Sequence, residues 1–179
     1  TEVPLGRRQN WPIYEAAQRH GLAVGIHAGS TYRHAPTYCG WPSYYIEDYA
    51  AYAAAFQGQL LSLVYEGVFN KFPNLRVVLI ESGVSWLPSF ISRISTTWRA
   101  VRLEVPWVDR SPAEIIREHV RLTTQPFDVP NDPEKVNKII QQIGSDRMLL
   151  FASDYPHWQF DDDAVLPPGI SDSLRHKIQ

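Results

Sequence analysis

The apolar positions of this chain fall into two alternating rhythms. From Asn10 to His20 they recur at helical spacing, with Asn10 placed to cap, Pro12 in the first turn and Gly21 just beyond the end. Ala23 to His27 (AVGIH) is a short apolar run and predicts a buried strand. A long loop from Gly29 to Tyr45 follows, carrying Tyr32, Tyr38, Trp41, Tyr44 and Tyr45. Ile46 to Asn70 keeps one apolar stripe (Ile46, Tyr49, Ala53, Phe56, Leu60, Val64, Val68), which predicts a single long helix stopped by Pro73. Leu75 to Glu81 (LRVVLIE) is the clearest strand, rich in β-branched residues.

The second half repeats the rhythm. Pro88 to Val101 reads as a helix with Phe90, Ile91, Ile94 and Trp98 on one face. Ser111-Pro112-Ala113-Glu114 has the form of a capping box and opens a helix to His119. Val120 to Thr124 is a weaker strand. Asp132-Pro133-Glu134 opens a helix with Val136, Ile139, Ile140 and Ile143 as its stripe, closed by Gly144. Met148 to Ser153 (MLLFAS) is the last strand, and a further helix starts at Ser171-Asp172.

Helices alternating with strands this apolar predict an α/β fold with a parallel sheet covered on both faces. An open doubly wound sheet and a (β/α)8 barrel both satisfy that pattern. No Gly-x-Gly-x-x-Gly fingerprint or Walker-type loop follows any strand, which removes the best sign of a nucleotide-binding open sheet.

Composition narrows the partners. The 179 residues suit one domain, 1–179, and 44% hydrophobic residues suffice for a core. A net charge of -2 gives no reason to expect nucleic acid or an anionic membrane surface. No apolar run approaches the roughly 20 residues of a membrane span. Cys39 is the one cysteine, so a disulfide framework within the chain is excluded, and a reducing, cytoplasmic setting is expected. The chain opens Thr1-Glu2-Val3, its one methionine is Met148, and it stops soon after a helix start. It reads as part of a longer protein.

In parallel β/α folds, working groups gather at the strand C-termini. Three strand ends here carry polar groups: His27 in IHAG, Glu81 in IESG and Asp154 in ASDYPH. A histidine with carboxylates is a ligand set for Zn²⁺ or Mn²⁺. Each residue also has a plain structural explanation. His27 fits a core histidine bonded to a carbonyl. Glu81 fits a cap for the helix near Trp86, and Asp154 a cap for its own turn.

The segments IHAG, VFNKFPNLRVVLIESGVSWLP and LLFASDYPHW resemble the amidohydrolase-2 group of the amidohydrolase superfamily, which includes aminocarboxymuconate semialdehyde decarboxylase. The resemblance runs from about Pro12 to Leu166. It implies a distorted (β/α)8 TIM barrel of which this chain covers about the second half, strands five to eight. It implies a divalent metal, Zn or Mn, with His27 and Asp154 as metal ligands, and Asp154, Glu81 and His27 as catalytic residues. Many relatives have a histidine in a His-x-Gly motif where this chain has Glu81-Ser82-Gly83. That departure bears on the histidine-dependent step and so on the exact reaction. The His-x-His or Glu-x-His of the family's first strand occurs nowhere in this chain.

The implied function is hydrolysis or decarboxylation of a small carboxylate or an aromatic or dienoic acid. Tyr32, Arg33, Trp41 and His157 are the candidate substrate contacts, and Arg121 a second guanidinium for a substrate carboxylate. A non-catalytic half-barrel serving as a binding or assembly module is the alternative. A half-barrel exposes strand edges and apolar faces, so association with a second copy or with the missing half is expected.

Overall fold

Short aliphatic runs between helices build a four-stranded sheet: β1 (Ala23–His27), β2 (Arg76–Ile80), β3 (Val120–Thr123) and β4 (Leu149–Leu150). The strands lie in that order and every pair is parallel. The computed structural model describes residues 3–27, 35, 39–157 and 166–178. The helices are α1 (Trp11–Arg19), α2 (Tyr45–Ala50), α3 (Tyr52–Tyr65), α4 (Val68–Lys71), α5 (Leu87–Val101), α6 (Pro112–His119), α7 (Pro133–Ile143) and α8 (Asp172–Ile178). No helix among the described residues is long and apolar enough to cross a membrane.

Side chains alternate across a strand, so each strand has two faces. Val77 and Leu79 of β2 and Val120 and Leu122 of β3 are fully buried in the core, with Leu60, Leu63 and Val64 of α3 and Ile116 of α6. The opposite face does not meet the expectation of a sheet covered on both sides. The register aligns Ala23, Gly25 and His27 with Arg76, Val78 and Ile80. The first three are exposed and the second three half-buried. β1 is therefore not the buried strand its composition predicts. β4 keeps two residues of its apolar run, and Phe151 beyond it is 46% exposed.

The long helix expected from Ile46 to Asn70 is broken into α2, α3 and α4. Gly67 makes the second break with φ 78°, and the Trp107 ring lies where a Cβ would stand, 2.6 Å from Trp107 Cδ1. Trp107 Nε1 donates to Tyr65 O at 2.8 Å, which holds the indole there. Ile46, counted in the apolar stripe, is 75% exposed.

Two expected caps are absent. Asn10 instead donates through Nδ2 to Pro4 O and Leu5 O, and Ser111 makes no side-chain cap bond. Asp132 does cap α7, its Oδ1 accepting from Glu134 N at 3.0 Å and Lys135 N at 3.3 Å.

Candidate active site

β1 ends on His27, and the turn after β2 begins with Glu81, so parallel pairing sets the two side by side. His27 Nε2 lies 2.9 Å from Glu81 Oε1. The imidazole is about half exposed and the carboxylate less so, with side-chain exposures of 53% and 23%. Glu81 thus partners His27 instead of capping α5, and His27 stands at the strand end and not in the core.

The backbone at Glu81 is left-handed, with φ 59°, and Asp154 has φ 58°. Among the described residues these are the non-glycine positions with positive φ. At Glu81 this costs about 1–2 kcal/mol relative to ordinary backbone, and less at Asp154, whose short polar side chain tolerates this region. Strain of this kind concentrates where geometry matters more than stability, and here it falls on two residues singled out for their chemistry. At Glu81 it is sustained by the next strand: Thr123 Oγ1 accepts from Glu81 N at 3.0 Å while donating to Gln125 O at 3.3 Å.

Asp154 follows β4 by four residues. His157 closes its turn, donating from the backbone to Asp154 O at 2.7 Å. Its ring Nδ1 lies 3.2 Å from Asp154 Oδ2, within ion-pair range. Oδ2 is buried, and among the described residues it has no hydrogen bond beyond that ion-pair contact. A solvent-free, unbonded carboxylate oxygen is costly unless a cation or donor meets it.

Tyr49 of α2, read from the sequence as part of an apolar stripe, belongs to this neighbourhood. Burial raises its phenol pKa, and the nearby Glu81, Tyr45 and Asp154 raise it further. Its ring also packs on Tyr45 and Tyr52, with centroids 5.7 and 5.3 Å away. Asp128, 44 residues from Val84, is a second contributor the sequence did not reveal. Its Oδ1 accepts from Val84 N at 2.6 Å and Ser85 N at 3.1 Å, and its Oδ2 from Ser85 Oγ at 2.7 Å. No local pattern marks it. A polar run at the end of β3, Thr123-Thr124-Gln125, was the available signal that this strand end does more than pack.

The expected substrate contacts fare differently. Tyr32 and Arg33 lie outside the described residues. Trp41 is 61% exposed. Arg121 does not reach the site: its Nη1 donates to Arg117 O, Glu118 O and Val120 O, tying it to the C-terminus of α6 at the opposite end of the sheet. A cation there satisfies the last helical carbonyls.

His27 and Asp154 are donors of the kind a Zn or Mn ion takes, and the unbonded Oδ2 of Asp154 suits a cation. In number they fall short, since among the described residues no three His, Cys, Asp or Glu side chains converge.

The profile of the family described as amidohydrolase matches residues 1–178. No curated protein matches the chain. An amidohydrolase from Mycobacterium avium subsp. paratuberculosis superposes with a TM-score of 0.75 at 23% identity, over 98% of this chain and 44% of that one. A 2,6-dihydroxybenzoate decarboxylase from Rhizobium gives 0.71 at 20% identity, over 98% and 54%. A dihydroxybenzoic acid decarboxylase from a Polaromonas species, solved with bound manganese and the inhibitor 2-nitroresorcinol, gives 0.70 at 21%, over 98% and 52%. The chain therefore spans about half the length of these proteins, and its parallel sheet is part of a (β/α)8 barrel. With the family profile covering nearly every residue, this chain belongs to the amidohydrolase family.

Proposed function

We propose that this chain supplies strands five to eight of a metal-dependent enzyme that removes CO2 from a hydroxylated aromatic acid. The observation that carries this reading is the pairing of His27 with Glu81 and the unbonded Oδ2 of Asp154, on strained backbone at the C-terminal rim of one parallel sheet. The neighbours solved as dihydroxybenzoate decarboxylases support the choice of decarboxylation over hydrolysis.

His27 and Asp154 would hold the metal, together with ligands from outside this chain. A bound Zn or Mn ion supplies positive charge that orients and polarises a carboxylate-bearing substrate. The chain's own residues handle position and protons. His27 donating Nε2–H to Glu81 Oε1 presents Nδ1 as the basic nitrogen, and the carboxylate fixes the ring's orientation. Glu81, once it carries a proton taken up from solvent, can deliver it to the ring carbon as that carbon's bond to the carboxylate carbon breaks, and it returns to the carboxylate that accepts from His27. The electron pair of that bond takes the proton, and CO2 leaves. Tyr49 lends an apolar wall and a neutral hydroxyl beside both carboxylates.

The test is CO2 release from 2,6-dihydroxybenzoate by the metal-loaded protein with the rest of its barrel supplied, before and after chelation. Metal-dependent release supports the reading. Acid production from an ester or lactone without CO2 would replace it with hydrolysis. Metal-independent binding with no turnover would point to an assembly module.

A further inference from the structure

Glu81 works only if its left-handed backbone persists, and β2 fixes only one side of it. What lies on the other side is Ser82-Gly83-Val84-Ser85, an irregular stretch leading into α5. Its conformation is held from outside, by the segment after β3. Asp128 accepts hydrogen bonds from two consecutive amides, Val84 N–H and Ser85 N–H, and from the Ser85 hydroxyl. The three bonds converge on one carboxylate, so the stretch can neither slide nor rotate without breaking all of them.

Gly83 shows how closely the parts are fitted. Its φ is 67°, and a Cβ there would stand 2.5 Å from Asp128 Oδ2. The turn therefore needs a residue with no side chain and a backbone that tolerates positive φ. Trp86 adds a second tie, its Nε1 donating to Ser82 O at 2.8 Å and lying 3.2 Å from Gly83 O. Upstream, Thr123 holds the Glu81 amide itself. Glu81 thus sits between two anchors, Thr123 and Asp128, both belonging to the next β/α unit.

We propose that Asp128 is a positioning residue: it clamps the Val84–Ser85 backbone and so keeps Glu81 in the left-handed conformation that places its carboxylate on His27. This rests on the reading of Glu81 as a working group of the site. Asp128 touches neither His27 nor Glu81 directly in any described bond. Its effect is transmitted through three backbone residues, and without it Glu81 relaxes toward ordinary φ and its carboxylate swings away.

The geometry distinguishes clamping from charge. An asparagine at position 128 keeps Oδ1 as acceptor for both amides and offers an N–H to Ser85 Oγ, so Asp128→Asn preserves the clamp. Asp128→Ala removes it. Amide hydrogen exchange reads the clamp without any substrate. In Asp128→Ala, the Glu81, Val84 and Ser85 amides should lose protection by about tenfold or more, while the β2 amides stay as they were. In Asp128→Asn protection returns. If Asp128→Ala does not fold, Ser85→Ala removes one of the three bonds and should loosen the same amides to a smaller degree.

Turnover is measured in parallel on manganese-loaded protein with 2,6-dihydroxybenzoate. The clamp predicts a kcat about tenfold lower in Asp128→Ala with KM within about twofold, and recovery in Asp128→Asn. A lower melting temperature with the Glu81 amide still protected would make Asp128 a helix cap only and overturn the proposal. So would an Asp128→Asn protein as loose as Asp128→Ala. If the wild-type protein does not turn over even with the rest of its barrel supplied, the decarboxylase reading has failed, and the amide exchange alone decides Asp128.

Discussion

The two ends of the same sheet each hold a histidine, and the two are built on opposite terms. At the C-terminal end, His27 is half exposed and paired with a carboxylate on strained backbone. At the N-terminal end, His119 is fully buried and stacks on Phe69 with centroids 4.7 Å apart. Its Nδ1 donates to Leu75 O at 2.9 Å, and its Nε2 accepts from Arg110 Nη2 at 3.3 Å. Burial lowers its pKa, so the ring is held neutral, while Arg110 in turn pairs with Glu118. Both nitrogens of His119 are spent on structure. The difference fits the general division of parallel β/α folds, in which one end serves chemistry and the other stability.

Mutation should separate these roles, beginning with the largest effect. His27→Ala or Asp154→Asn is expected to lower turnover by about 100- to 10,000-fold, the span typical of losing an acid–base or ligand group. Urea midpoints for both should stay close to wild type, because neither side chain anchors the core. His119→Ala should do the reverse. Opening a cavity beneath Phe69 and orphaning Leu75 O should cost about 3 kcal/mol by chemical denaturation, within the range for large-to-small core changes. Equal stability losses at both histidines would erase the contrast.

Acid titration sharpens it. A histidine kept neutral by burial leaves stability unchanged above its unfolded pKa of about 6.5. As pH falls below that value, the unfolded chain binds a proton that the folded ring resists, so stability declines until the lowered folded pKa is passed. The slope is at most about 1.4 kcal/mol per pH unit for one proton, and replacing His119 with Phe should flatten it.

The smallest effect concerns backbone strain. Glu81→Gly relieves about 1–2 kcal/mol of left-handed strain and adds about 0.4–1 kcal/mol of unfolded-chain entropy. Glu81→Ala keeps the strain. The glycine variant should therefore be the more stable of the two by roughly 1 kcal/mol in thermal melts, with both losing turnover. Equal melting temperatures would mean that the strain at position 81 is no larger than that entropy cost.

Much of this was legible locally. Strand identity followed from short aliphatic runs, and the positions of His27, Glu81 and Asp154 at the rim followed from where those runs stop. What the sequence hid depends on distant partners. Asp128 meets Ser85 across 43 residues, and no periodicity reports such a pairing. Ser111 has the letters of a capping box, yet its side chain makes no cap bond. The aliphatic run of β1 resembles a doubly covered strand because a barrel wall is apolar whether or not its opposite wall is present. Ile46 fits a helical stripe by spacing, but the break before α3 turns it outward.

The open face of the sheet has a consequence for how stability is measured. A surface that prefers to be covered couples folding to concentration. A polypeptide that binds this face of the folded chain, and not the unfolded one, adds RT ln(1 + [L]/Kd) to the folding free energy. That is about 2.7 kcal/mol at a hundredfold excess over Kd. The melting temperature of this chain would then rise with the concentration of any such polypeptide.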